Sequence, residues 1–346
     1  MQLSKHLQKN TSVVFLEFKD AERDIRLQDC KAIFVHYEAS LVPDKNFLKR
    51  LNLLFPKRIF VIPHEVYNEN PFAFPYKKLK NLFWLDLVLR RALYKWRHRD
   101  YTQEKTLQSR GYDTYRVIPL SHTNTDILNT TGATNLLEPV PLAFAPHIQD
   151  NHNKSSLSKE VATFNQGNQN KIKCGIFGFL NQLNDYETVL DAMVKLGDKI
   201  SLIITGGTRT QSNNTETLIH QINSRKLEQQ VILTGYLDNI TFQQYMDSCD
   251  LFICPFKARS NSSSLLRLID LGKPVIVKAI GLSEELKKEG APIYTYQSKK
   301  ELYSLLNKAI NNNLPTLQNR YKYTFQRVAE MYMERISLNI QRNTKE

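Results

Sequence analysis

No uninterrupted apolar run in this sequence approaches membrane-spanning length, and the start, Met1 to His6, has no apolar signal core. These absences exclude a helical membrane protein and predict a chain that stays in the cytoplasm. Cysteine is scarce. Cys30, Cys174, Cys249 and Cys254 stand at spacings that suit neither zinc nor a redox pair, so reduced, buried thiols and no metal site are expected. Internal repeats and longer low-complexity tracts are also missing, which sets solenoids aside. Positive charge, by contrast, is abundant: 47 Lys and Arg against 34 Asp and Glu leave a net charge of +13. Such a balance implies an anionic partner, whether nucleic acid, an acidic membrane surface or a phosphorylated substrate.

The 346 residues suffice for two domains, and the 41% hydrophobic and 23% charged fractions are those of a soluble globular protein. Apolar runs predict strands at Ser12–Phe18, Lys31–Tyr37, Arg58–Pro63 and Tyr115–Pro119, with an amphipathic helix at Asn46–Leu54. This alternation points to a parallel α/β sheet. His36 and Tyr37 close the second strand, and His64 and Glu65 follow the third. At the carboxyl edge of a parallel sheet such side chains face a ligand crevice, where a histidine can bond a sugar hydroxyl or move a proton near neutral pH. A structural histidine is the competing reading at each position.

Residues 76–110 hold ten cations against three carboxylates, about half of the net charge of +13, with Leu, Phe, Tyr and Trp recurring at helical intervals. A basic helix of this kind can lie peripherally on the anionic inner face of a membrane, or pack on the core with a solvated outer face. Residues 151–170 are polar and short of hydrophobes, and read as a linker, with one ordered turn around Val161 to Phe164, between domains at 1–150 and 171–315. The closing segment, 316–346, ends in a long amphipathic helix.

The second half repeats the strand-helix pattern. Strands are expected at Ile172–Phe177, Ile200–Thr205, Val231–Thr234, Leu251–Cys254, Val275–Val277 and Pro292–Thr295. Helices are expected at Tyr186–Leu196, Thr215–Ser224, Phe242–Cys249, Ser264–Leu271 and Lys299–Asn311. The stretch 251–277 organises the rest: a buried strand, a polar loop and a helix stopped by Gly272 and Pro274. Lys257 and Arg259 precede a hydroxyl cluster, Ser262, Ser263 and Ser264, at the start of that helix. Free N–H groups, the helix dipole and two cations would favour a diphosphate; the plainer reading is a serine cap in a solvated loop.

The succession Val231–Gly235, Phe242–Pro255 and Gly272–Ile276, with Ser283 to Glu285 after it, resembles the retaining, nucleotide-sugar-dependent glycosyltransferases of the GT-B fold, family 4 in particular. The resemblance is carried by residues 171–340. It implies two Rossmann-like doubly wound domains facing a cleft, with the nucleotide bound to the second, the acceptor to the first, and the last helix crossing back. It implies Gly178 beneath the diphosphate, the Ser262–Ser264 helix start beside it, His64 facing the donor sugar with Glu65 as its neighbour, and His36 and Tyr37 on the acceptor side. No metal or cofactor is implied, because helix dipole and basic side chains neutralise the leaving diphosphate.

The chain departs from the family's pattern in its charges. The family's arginine and lysine of the first loop are replaced by Phe179 and Asn184, and its paired glutamates by Arg259 and Arg267. Carboxylates accept paired hydrogen bonds from diols, whereas arginine only donates. Arg209, Arg259 and Arg267 are therefore expected to take over the charge of the missing cations. The resemblance implies transfer of a hexose-type sugar from a nucleoside diphosphate sugar to a glycan, lipid-linked or protein acceptor. The alternative is a catalytically silent relative that binds a glycan or protein partner. Nucleic-acid binding has the charge in its favour but no recognition motif.

Overall fold

The computed structural model describes residues 16, 24–37, 47–63, 115–130, 135–142, 158–180, 183–207, 214–257 and 262–343. Contacts divide the chain into two units, residues 1–143 with 325–346, and residues 144–324.

The first unit contains β1 (Ile33–Tyr37), α1 (Phe47–Leu54), β2 (Ile59–Pro63), β3 (Arg116–Val117) and α2 (His122–Thr130). The strands pair in parallel in the order β1-β2-β3. Every residue of β2 is buried, as a central strand covered on both faces requires. Strand alternation sends Ile33, Val35, Ile59 and Val61 into one cluster with Phe47, Leu48 and Leu51 of α1. Phe34 and Phe60 meet on the other face, 5.2 Å between centroids. There Tyr332 of the terminal helix, Phe325–Asn343, sets its ring edge-on to Phe34 at 5.4 Å. That helix buries Val328, Ala329, Met331 and Tyr332, a stripe at helical spacing.

The second unit runs α3 (Lys159–Gly167), β4 (Ile172–Phe177), α4 (Tyr186–Leu196), β5 (Ile200–Thr205), α5 (Asn214–Ser224), β6 (Val231–Gly235), α6 (Asn239–Ser248), β7 (Leu251–Cys254), α7 (Ser263–Asp270), β8 (Val275–Lys278), α8 (Gly281–Lys288), β9 (Ile293–Tyr296) and α9 (Lys299–Ile310). All six strands are parallel, in the order β6-β5-β4-β7-β8-β9. From β4 the chain winds outward through β5 and β6, then returns to lay β7 on the other side. The order therefore reverses between β4 and β7. Connections leaving those two strands diverge to opposite faces and leave a crevice at their carboxyl ends. Beneath it, Cys174, Ile176, Leu202, Ile204, Leu251 and Ile253 pack under α4, α5 and α9. Three of the four cysteines are buried and all four are free; burial pushes the Cys249 thiol up to about 12.

Three expectations need correction. In the stretch 151–170, the ordered turn expected around Val161 to Phe164 is a longer helix: α3 packs on α6 through Phe164 and Tyr245, whose rings lie 6.2 Å apart, and through Asn165 Nδ2 donating to Ser248 Oγ at 3.1 Å. A nine-residue helix with just Val161 and Phe164 buried shows little periodicity in sequence. Helix α6 starts three residues before the expected Phe242, because Asp238 accepts the N–H groups of Ile240 and Thr241. Helix α8 went unread as a helix; it opens on a glycine and is held by the Ser283 hydroxyl, which accepts the Ile280 N–H at 2.9 Å. The expected first strand, Ser12–Phe18, lies outside the described residues except for Leu16, and the basic segment 76–110 lies wholly outside them. Among the described residues no helix is long and apolar enough to cross a membrane.

Candidate functional site

The ends of β4, β5 and β6 are laced by backbone bonds. The Gly178 N–H donates to Thr205 O at 3.0 Å, the Leu180 N–H to Gly207 O at 3.1 Å and the Gly206 N–H to Gly235 O at 3.0 Å. The loop after β4 then crosses to the loop after β7. Lys257 N–H donates to Leu183 O at 2.7 Å, Asp185 N–H to Pro255 O at 2.6 Å, and Asn184 bridges Phe256. The two loops that flank the crevice are thus one short ribbon.

Helix α7 begins at this ribbon. Ser262 is its N-cap, its hydroxyl accepting the Leu265 N–H at 3.2 Å. The N–H groups of the first turn precede the first intrahelical bond and carry the positive end of the helix dipole. A Cβ on Gly178 would stand 3.7 Å from Ser264 Oγ, so the helix start lies beside the glycine turn with room for little more than a methyl group between them. The sequence-predicted Gly178, Ser262, Ser263 and Ser264 are brought together here.

Arg267 lies one turn further along α7. Its guanidinium sits over the Phe242 ring at 5.2 Å, and Nη2 donates to Gln243 Oε1 at 3.1 Å. Phe242 in turn meets Phe177, the residue before Gly178, edge-on at 5.3 Å. Helical side chains lean toward the helix N-terminus, so this stack carries the guanidinium toward the crevice rim. The exposed Lys257 and the exposed rings of Phe179 and Tyr236, the latter 84% exposed, complete that rim.

Asp185, the N-cap of α4, was not foreseen. Its carboxylate accepts the Thr188 hydroxyl at 2.9 Å and pairs with Lys278 Nζ from the end of β8 at 2.8 Å. Burial works to raise its pKa, but the bonds from Lys278 and Thr188 and the Lys278 charge together hold it below the usual value. A depressed carboxylate stabilises the fold above its unfolded pKa, and that stability is lost as pH falls through the lower folded pKa. Asp185→Asn should cost about 1 kcal/mol at pH 7. The difference in melting temperature between the two proteins should close as pH falls below the ordinary carboxylate range. A pH-independent difference would mean that the charge pair contributes nothing.

Several predicted residues fall elsewhere. His36 and Tyr37 end β1 in the first unit, His36 with an exposed side chain. His64, Glu65, Arg209 and Arg259 lie outside the described residues. Sequence reasoning passed over Gly206 and Gly207 as a mere strand end, although a glycine pair directly after a strand is itself a turn signal. A cavity of about 530 Å³ lies at the opposite edge of the sheet, lined among others by Lys173, Asp247, Asp250 and Lys273. Its charges hold the fold. Lys273 Nζ caps α6 through the carbonyls of Met246, Asp247 and Cys249, and Asp250 accepts the Lys173 N–H. Among the described residues no group of three or more His, Cys, Asp or Glu could hold a metal ion.

Residues 161–327 match the family described as Glycosyl transferases group 1. No curated protein sequence matches the chain. Solved structures resemble it throughout. HepE of Anabaena in complex with UDP and glucose is 14% identical, with a TM-score of 0.58 over 99% of this chain and 80% of that one. A glycosyltransferase of Rickettsia africae is 12% identical, with a TM-score of 0.63 over 97% and 87%. Sucrose-phosphate synthase of Thermosynechococcus elongatus is 16% identical, with a TM-score of 0.55 over 87% and 70%. At these identities the likeness is one of fold.

Proposed function

We propose that this chain, whose residues 161–327 match the group 1 glycosyltransferases and whose fold is that of the two-domain GT-B structures, is a glycosyltransferase that moves a hexose-type sugar from a nucleoside diphosphate sugar to a glycan, lipid-linked or protein acceptor, with retention and without a metal. The observation that carries this reading is the closeness of the Gly178 turn to Ser264 at the start of α7, at the reversal point between β4 and β7. HepE, which shares the fold, was crystallised with UDP and glucose.

The diphosphate would lie over Gly178, against the first-turn amides of α7 and the hydroxyls of Ser262, Ser263 and Ser264. Lys257 and Arg267, with Arg209 and Arg259, would supply the positive charge that stabilises the leaving diphosphate as it departs. His64 would face the donor sugar, with Glu65 beside it, and His36 and Tyr37 would lie on the acceptor side. Segment 76–110 would hold the enzyme peripherally at an anionic inner membrane face while the rest stays in the cytoplasm.

A thermal-shift titration with UDP, GDP, TDP, CDP and ADP, with and without magnesium, tests the reading. A ligand at a hundred times its Kd stabilises the folded state by about 2.7 kcal/mol. One base should stabilise the protein selectively, to the same extent with EDTA as with magnesium. No shift with any nucleotide at millimolar concentration would defeat the donor-site reading; a shift that needs magnesium would defeat metal independence. The anomeric configuration of the product, read by NMR, tests retention.

A further inference from the structure

The first unit has a ligand edge of its own, at the carboxyl ends of β1, β2 and β3. Helix α2 begins there, shortly after β3. Ser121 caps it: the hydroxyl accepts the Asn124 N–H at 3.0 Å and the carbonyl accepts the Thr125 N–H at 3.1 Å. Ser121, Asn124 and Leu128 recur at helical spacing and are all buried, so they form the inner stripe of α2. Leu128 belongs to the cluster that contains Val61 and Val117 of the sheet. Asn124 is 0% exposed, yet neither its Oδ1 nor its Nδ2 has a hydrogen-bond partner. Asn165, Asn168, Asn184 and Gln230 also bury an unpartnered oxygen, but each donates through its amide nitrogen. Among the described residues, Asn124 is the one carboxamide buried with both ends open.

We propose that Asn124 is a sugar-contact residue on the acceptor side. Its carboxamide takes a neutral sugar group that presents a donor and an acceptor side by side, either two neighbouring hydroxyls or an acetamido group. The inference rests on the reading above, which places the acceptor on the first unit, and it narrows that acceptor to a neutral sugar at the point of contact.

Direction and chemistry both support this. Helical side chains lean toward the helix N-terminus, so the amide is directed to the carboxyl edge of the sheet and away from the middle of the strands. Solvent is within one helical turn, since His122 is exposed and Thr123 half-buried. A carboxamide carries two N–H donors and an accepting oxygen. Buried without partners, it makes the fold less stable than an apolar side chain of the same shape would. Sequences break such a rule at functional sites. The nature of the partner follows from the setting. Ile118, Leu128 and Val140 are 0% exposed and Leu120 3%, so a phosphate or carboxylate brought here would give up far more hydration than a neutral sugar does. The positive end of α2 favours an anion. An anion, however, would use Nδ2 alone and set its charge against Oδ1. Two sugar hydroxyls satisfy both ends, one donating to Oδ1 and the other accepting from Nδ2.

Ligand-observed saturation-transfer NMR on the full chain tests this with methyl glucoside, methyl galactoside, methyl mannoside and N-acetylglucosamine, against glucuronate and glucose 6-phosphate. At least one neutral sugar should bind saturably, and the charged sugars should bind at least about tenfold more weakly. The glycoside and acetamido arms tell which group is read. Asn124→Leu should weaken the bound sugar at least about tenfold and keep the nucleoside diphosphate Kd within about threefold. It should melt no lower than the unaltered protein. Asn124→Ala, a smaller side chain, carries the same two binding measurements if leucine is too large for the fold. Unchanged sugar binding in these variants would leave the amide to an internal water only and overturn the proposal. Tighter binding of the charged sugars would overturn it as well, as would a protein that binds nucleotide but no sugar. Sugar binding that depends on Asn124 in a protein that binds no nucleoside diphosphate would keep this site and defeat the donor-site reading instead.

Discussion

Gly206→Ala should lower stability by about 4 kcal/mol, while Gly207→Ala, one residue on, should cost less than about 1 kcal/mol. A Cβ on Gly206 would overlap the Gly178 carbonyl, 2.7 Å from its carbon and closer still to its oxygen. These are backbone atoms at the end of β4, and no side-chain rotation relieves the overlap. Gly206 also holds a φ of +141°, a conformation open to glycine and strained for alanine. A Cβ on Gly207 would meet nothing nearer than Tyr236 Cβ at 3.6 Å. For a unit of this size the loss at Gly206 corresponds to a fall in melting temperature on the order of 10 °C. Because the displaced group is the Gly178 turn, nucleotide binding should weaken in the surviving folded fraction. Thermal unfolding of both variants decides the matter, and equal costs at the two positions would contradict the packing described.

His64→Ala should lower kcat more than about a hundredfold while changing the nucleotide Kd by less than about threefold. β2 is the central strand of the first unit's sheet and ends at Pro63, so His64 is the first residue beyond its carboxyl end. Ligands of parallel sheets meet the chain at such ends. A side chain that contacts the donor sugar, and not the nucleotide, affects the transition state more than it affects binding of the diphosphate. Nucleotide Kd from titration and kcat from sugar transfer separate the two. Parallel losses in both would place His64 in donor binding or in the fold, and Glu65→Gln serves as the comparison at the adjacent residue.

Much of the second unit was legible because its apolar runs are short and bounded by strong signals. Ile172–Phe177, Tyr186–Leu196, Ile200–Thr205 and Leu251–Cys254 are strands and helices over the very residues expected. Gly178, Gly206 and Pro255 mark their ends, and these residue types stop elements through their own backbone chemistry. Elements held by tertiary contact were harder to see. α3 shows few apolar residues because Phe164 and two side-chain bonds secure it to α6. The site divides in the same way. The serine cluster was visible as a local pattern, since helix starts are local, whereas Gly178 entered the site through the family resemblance. The stack of Arg267 on Phe242 and the pairing of Asp185 with Lys278 join residues far apart in the chain, and no local spacing encodes them.

The division of the chain also has a consequence for its synthesis. The first unit needs the terminal helix, whose Tyr332 covers Phe34, yet residues 144–324 form the second unit in between. At roughly 5–20 residues per second, roughly 10–40 s of translation separate residue 143 from that helix. The part made first is therefore the part finished last. During that interval the Phe34 and Phe60 face lacks the helix that covers it, and the second unit is complete before the first can close.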